Sequence, residues 1–292
     1  MEFREELKQY NDIINKELEK YIRKNECLEH KLNESVEYSL MAGGKRLRPT
    51  LMLATYKIFK EDYEKCMPYA VAMEMIHNFS LIHDDLPGID NDDFRHGKPT
   101  NHKQFNEATA ILAGDSLLNY AYLTISRDMQ KEMLNEKILA FYEISSAVDR
   151  MIIGEYVDTE YEGKKALEDE LEYMHKNKTG ALIRASVRIG AILGSAKEKD
   201  LNNLTLFAEK IGLAFQIKDD ILSEIGNEKI LGKPVGNDKK RNKCTYVSKY
   251  GLEKSIEELD KNINESLIIL KDYGEEAEFL RKLAIYIKDR NK

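Results

Sequence analysis

The sequence predicts an all-α protein folded as a single large helical bundle, and three observations carry that reading. Apolar residues recur at three- and four-residue steps, as in Leu252, Ile256, Leu259, Ile263, Leu267 and Leu270, which is the spacing of an amphipathic helix. Alternating β-branched runs bounded by turn residues are nearly absent. Helix breakers are few, with 5 prolines and 16 glycines in 292 residues. At that length the chain lies near the upper limit for one hydrophobic core, and no linker or low-complexity segment divides it, so residues 1–292 are expected to form one domain. A bundle of that size has room for a deep central cavity.

Composition excludes several classes. Apolar residues at 42% and charged residues at 33% describe an ordinary globular chain rather than a disordered one. The net charge of −7 is mixed along the sequence, without the basic stripe that attracts nucleic acid. Cys27, Cys66 and Cys244 are odd in number, widely spaced and without a CxxC pair, so they suggest neither a disulfide framework nor a zinc site. The N-terminus lacks the basic start and apolar stretch of a signal peptide, and no run of 18 apolar residues occurs. A soluble, cytoplasmic protein without stable membrane insertion is expected.

Along the chain, the first chemically suggestive segment is GGKRLRP. It places Lys45, Arg46 and Arg48 after Gly43 and Gly44, whose backbone lets an anion approach closely. The spacing is not that of a P-loop, and taken alone the segment reads more readily as a plain basic loop. Next, Tyr69 to Ile82 is apolar nearly all round, through Val71, Met73, Ile76, Phe79 and Leu81, and reads as a buried central helix ending at Asp84-Asp85 before Pro87 and Gly88. Asn203 to Leu222 repeats the pattern through Leu206, Ile211, Phe215, Ile217 and Ile221, ends at Asp219-Asp220, and is followed by Gly226.

Carboxylates near a helix C-terminus face the negative end of the macrodipole, so something positive is expected to compensate them. Asp84, Asp85, Asp90, Asp92 and Asp93 crowd one short segment. Oxygen ligands suit a hard cation, and magnesium typically combines one or two carboxylates with substrate phosphates. A solvated acidic loop would explain one such pair, but not two on two buried helices. An EF-hand is excluded, because Phe94 and Arg95 stand where an acidic ligand and the turn glycine belong. Further bases, Arg95, Lys178 in Lys178-Thr179-Gly180 and Lys233 in LGKP, join the basic loop in suggesting a diphosphate substrate. His77 lies two helical turns before Asp84 on the same face and reads as either a core histidine or a substrate contact.

The segments GGKRLRP, HNFSLIHDDLPGIDNDDFRHGKPTNH, NKTGAL and FQIKDDIL, in that order, resemble the trans-polyprenyl diphosphate synthases, the farnesyl and geranylgeranyl group, over essentially the entire chain. The resemblance implies an isoprenoid synthase bundle around a central cavity, usually a homodimer, that uses Mg2+ to condense isopentenyl diphosphate with allylic diphosphates. It implies metal ligation by Asp84, Asp85 and Asp90 from one wall and Asp219 and Asp220 from the other. It puts the allylic diphosphate against Arg95, Lys178 and Lys233, with Thr179 and Gln216 beside the forming carbocation. Isopentenyl diphosphate falls to Gly44, Lys45, Arg48, His77 and His96.

Four positions depart from the family pattern: His96 replaces the second of two arginines, Glu155 in IGEYVD a glutamine, Ser223 the last aspartate of the second motif, and Lys218 stands before Asp219. A terpene cyclase would have no use for GGKRLRP, whereas a non-catalytic subunit of a prenyl synthase would find support in these departures. Product length turns on Phe79, about 7.5 Å down the helix from Asp84 at 1.5 Å per residue, although helical spacing points Ser80 more nearly beneath Asp84. By resemblance to bacterial farnesyl diphosphate synthases, an aromatic at Phe79 blocks the growing tail and gives a C15 product, with a C20 product as the alternative.

Overall fold

The computed structural model describes residues 2–22, 28–164, 168–225 and 243–291. Two helices, α1 (Phe3–Glu19) and α2 (His30–Leu40), lead into the basic loop, from which α3 (Leu47–Tyr56) departs. Then α4 (Met67–Asp84) begins with Pro68 in its first turn, where a missing N–H costs nothing, and ends before Pro87 and Gly88 as the sequence predicts. Twelve of its side chains are buried, including Glu74 and Asn78, so it is the central helix of the bundle.

One small sheet interrupts the helices, a hairpin of β1 (Phe94–Arg95) and β2 (Lys98–Pro99). Its turn residues His96 and Gly97 have φ of 52° and 75°, the positive pair that matches the twist of a two-residue hairpin. Periodicity could not foresee strands this short. A single turn, α5 (Asn101–Gln104), precedes two long antiparallel helices, α6 (Glu107–Lys131) and α7 (Asn135–Glu160). Asn106 caps α6 by accepting from the Thr109 N–H at 2.8 Å.

The second half holds α8 (Glu168–Lys178), α9 (Gly180–Leu193) and α10 (Glu198–Ile225), then α11 (Tyr246–Tyr250), α12 (Leu252–Ile269), two 3-10 turns (Leu270–Tyr273 and Glu275–Ala277) and α13 (Glu278–Asp289). Burial corrects the sequence reading at two points. Leu206 on α10 and Ile256 on α12, both counted among the inward apolar residues, are 50% and 42% exposed. Moreover, α10 runs past Asp219-Asp220 to Ile225 instead of ending there, and Gly226 lies outside the described residues. The core is one continuous apolar cluster from Tyr10 on α1 to Ile287 on α13.

Candidate active site

The basic loop sits at the N-terminus of α3, with Gly43 and Gly44 at φ of 103° and 117°, backbone that glycine alone adopts freely. Its three cations face different ways. Arg46 turns inward and is buried, giving hydrogen bonds to Glu74 at 2.7 Å, the Leu40 carbonyl at 2.6 Å and Asn15 at 3.0 Å. It fastens the loop to α4 and takes no part in the site. Lys45 lies 5.8 Å above the Phe215 ring.

Arg48 places Nη1 3.1 Å from His77 Nε2. Arginine only donates, so His77 Nε2 accepts and the ring proton of the neutral imidazole sits on Nδ1. That N–H and Arg48 Nε are both buried without a partner. Burial, followed by the Arg48 charge, pushes the His77 pKa well below its ordinary value, so the ring is neutral. Burial also lowers the Arg48 pKa against the pull of Glu74, Asp219 and Asp84. Two buried donors thus point to a missing acceptor, and both acidic pairs act on the same arginine.

At the end of α4 the two aspartates diverge. Asp85 is 2% exposed and receives three hydrogen bonds from Arg95, at 2.6 to 2.9 Å, across the start of the hairpin. Its pKa is nonetheless raised, chiefly by burial. The Asp84 carboxylate receives no hydrogen bond among the described residues, and burial, then the charge of Glu155, push its pKa up to about 8. Asp90 accepts from Lys243 at 3.0 Å. His96 lies against Gly44, and burial, then Arg95, lower its pKa, so in the unliganded chain it is held neutral rather than protonated.

Lys178 ends α8, where a close helix contact delivers its partners. A Cβ at Gly154 on α7 would stand 2.2 Å from the Lys178 backbone nitrogen, so glycine is needed there. The following turn of α7 brings Glu155 to 2.8 Å and Asp158 to 2.5 Å from the ammonium. Burial works against the lysine's charge, but Asp158 and Glu155 outweigh it and raise its pKa. Glu155, a departure from the family pattern, is therefore part of the lysine's charge balance.

On α10 the second pair also diverges. Asp220 is 4% exposed; its Oδ1 accepts from Gln216 at 2.9 Å and its Oδ2 from the Tyr246 N–H at 2.8 Å. Gln216 in turn accepts from the Thr179 hydroxyl at 2.7 Å, so both predicted carbocation neighbours belong to one hydrogen-bonded chain. His175 stands 3.7 Å from Asp220, and burial lowers its pKa to about 4, which keeps the ring neutral. Asp219 is more open, its side chain 41% exposed, and pairs with Arg290 at 2.6 Å. Arg290 also lies over the Phe215 ring, 4.1 Å from its centroid.

These contacts join Arg48 to His77, Asp85 to Arg95, and Thr179 through Gln216 to Asp220, but among the described residues no three carboxylates or imidazoles gather closely enough to hold a metal ion. Lys243 touches the first acidic cluster and Tyr246, three residues later, touches the second, so one short strap spans both. Lys233 lies outside the described residues. Ser80 turns its hydroxyl back onto the His77 carbonyl at 2.9 Å, while Phe79 is buried with its ring against His83. Ser223 is buried one turn after Asp219. Sequence reasoning missed Asp158, Lys243 and Arg290. Asp158 carried a signal, an acidic residue one turn after Glu155 on the same face; Lys243 lies in a segment without periodicity or motif, and Arg290 follows a periodic helix that carries no site motif.

Residues 29–282 match the sequence profile of the family described as Polyprenyl synthetase. The chain is 40% identical over 288 residues to the farnesyl diphosphate synthase of Micrococcus luteus, covering 99% of each. It is 43% identical over 262 residues to the geranylgeranyl diphosphate synthase of Cyanophora paradoxa, covering 88% of this chain and 87% of that one. Its fold superposes on the crystal structure of a geranylgeranyl pyrophosphate synthetase from Pyrococcus horikoshii with a TM-score of 0.89 and 28% identity, covering 99% of this chain and 98% of that one.

Proposed function

The chain belongs to the polyprenyl synthetase family, and we propose that it condenses isopentenyl diphosphate head to tail with dimethylallyl or geranyl diphosphate to give mainly farnesyl diphosphate. It is a trans-prenyltransferase. The observation that carries the substrate reading is the pair of buried, partnerless donors, His77 Nδ1 and Arg48 Nε, beside the glycine-rich basic loop. A buried donor without an acceptor costs about 1 to 3 kcal/mol, and a diphosphate oxygen is the acceptor these two need. Isopentenyl diphosphate would sit there, against Gly44, Lys45 and His96.

The allylic diphosphate is proposed to lie against Lys178, Arg95 and Lys233, with Lys178 kept positive by Asp158 and Glu155. Magnesium is the proposed ion; when bound it would withdraw charge from the departing diphosphate. Asp84 fits it well, being a half-buried carboxylate that receives no hydrogen bond among the described residues and has a raised pKa. Asp90 and Asp219 are proposed beside it, together with Asp85 and Asp220, whose oxygens already accept from Arg95, or from Gln216 and Tyr246, and would share their remaining lone pairs with the ion. Thr179 and Gln216 would present oxygen dipoles to the allylic cation, and apolar walls would keep water from it. The C5 double bond attacks the cation, and the proton lost in forming the new double bond passes to the released diphosphate.

One domain is supported by the continuity of the core. A homodimer is supported by α7, which exposes Leu139, Tyr142, Ile152 and Tyr156 at helical spacing. No helix among the described residues is long and apolar enough to cross a membrane, and a cytoplasmic location is proposed. Product length has a second, less supported reading, C20, because a geranylgeranyl diphosphate synthase stands among the mostly farnesyl relatives at 43% identity. The test is incubation with isopentenyl and each allylic diphosphate, with and without magnesium. C15 product only with the metal is expected, and no product from any primer would return the chain to the non-catalytic reading.

A further inference from the structure

Helices α4 and α6 approach one another where Gly114 faces His83. A Cβ at Gly114 would stand 2.2 Å from His83 Nε2 and 2.4 Å from Cδ2, so the imidazole fills the space that a side chain would take. Nε2 lies 3.0 Å from the Ile111 carbonyl, a contact that needs the ring proton on Nε2, and 3.9 Å from the Asp115 carboxylate. The ring also meets Phe79, one turn earlier on α4, with centroids 4.9 Å apart and planes at 74°, the favoured edge-to-face arrangement. His83 therefore ties the Phe79 ring to the backbone of α6. Neither the metal reading nor the diphosphate reading gives His83 a task.

We propose that His83, seated in the notch at Gly114, is a second determinant of product length, a positioning residue that holds Phe79 as the end wall of the alkyl cavity. The inference rests on the reading of Phe79 given above. An aromatic side chain turns about two torsions, so a wall made of one ring resists a lengthening tail only if something stands behind it. With the imidazole gone, the Phe79 ring gains the space over Gly114 and the cavity admits one more C5 unit.

The experiment compares wild type with His83→Ala, His83→Gln, Phe79→Ala and the His83→Ala/Phe79→Ala double variant, supplied with geranyl and isopentenyl diphosphates, and reads the C20 to C15 ratio. His83→Ala should raise that ratio about tenfold, the weight of one aromatic contact. His83→Gln, whose amide can still donate to the Ile111 carbonyl, should stay near wild type. The double variant should match Phe79→Ala alone, because the brace has no effect once the wall is gone. If His83→Ala loses its helical circular dichroism, His83→Ser, which also vacates the notch, supplies the ratio in its place. A longer product from Phe79→Ala with an unchanged ratio in the folded His83 variant overturns the inference alone. An unchanged ratio in Phe79→Ala overturns the wall and the brace together.

Discussion

The two aspartate pairs are identical dipeptides with opposite settings. Asp84-Asp85 closes α4, and the chain then folds back through a hairpin whose Arg95 locks Asp85; Asp219-Asp220 lies within α10, where Asp220 is locked from its own helix by Gln216 and from the strap by Tyr246. In each pair one carboxylate is deeply buried and bound to protein and its neighbour is more exposed. The neighbours differ: among the described residues Asp84 receives no hydrogen bond and its pKa is raised, whereas Asp219 holds Arg290. Each pair is therefore proposed to supply an anchored carboxylate and a freer ligand, with Asp84 the readier for a cation.

The largest effect expected from that division is on turnover. Asp84→Ala and Asp219→Ala should each lower kcat about 1,000-fold, roughly 4 kcal/mol of barrier, with the helical spectrum unchanged. Near-wild-type rates in both at saturating magnesium would end the two-wall reading.

Stability separates anchor from ligand next. Asp85→Asn leaves Arg95 only its longer pairing with Asp92, at 3.9 Å, and should cost about 2 kcal/mol in chemical denaturation. Asp84→Asn removes a carboxylate whose charge burial opposes, and should raise the metal-free melting temperature by about 2 to 4 °C. Changes of the same sign would erase the distinction.

A third effect is on pH. Asp84 is an acid whose folded pKa, about 8, lies above its ordinary value of 3.8, so the folded chain holds more protons than the unfolded one between them. Metal-free stability from this group is therefore greatest below about pH 4 and falls as pH rises toward 8. Magnesium must displace that proton, so the metal-induced rise in melting temperature should be greater at pH 8 than at pH 6. Equal shifts at both pH values would mean that Asp84 is not the residue that receives the ion.

The smallest effect concerns His96, which adjoins the basic loop. Its lowered pKa leaves little positive charge at neutral pH, and His96→Arg should lower the Michaelis constant for isopentenyl diphosphate several-fold, most at alkaline pH. A constant unchanged from pH 6 to 9 would remove His96 from that site.

Much of this was legible before any coordinates. The helical class, the buried α4 and α10 and the placing of acids and bases follow from apolar spacing and local motifs, because a helix repeats every 3.6 residues and displays its buried face in the sequence. The hairpin was not, since two residues per strand are too few to show a period. The misjudged residues differ in cause: Leu206 lies on a helix apolar on more than one face, where periodicity cannot tell which finds a partner, whereas Ile256 keeps to the single apolar stripe of α12 near its N-terminal end, where periodicity cannot tell how far a partner reaches.

What the chain order alone determined is therefore the set of helices and the chemistry they carry: two acid pairs, a glycine-rich basic loop and Lys178-Thr179. Only tertiary packing decided how these groups are divided. Arg46 and Arg48 are two residues apart, yet one is spent on Glu74 and the other meets His77. Asp158 and Lys243, 85 residues apart in sequence, meet at 3.4 Å. The reason is physical: a buried charge takes its partner from whatever group the packing of distant helices brings within hydrogen-bond reach, and the energy of that pairing falls with distance in space, not along the chain.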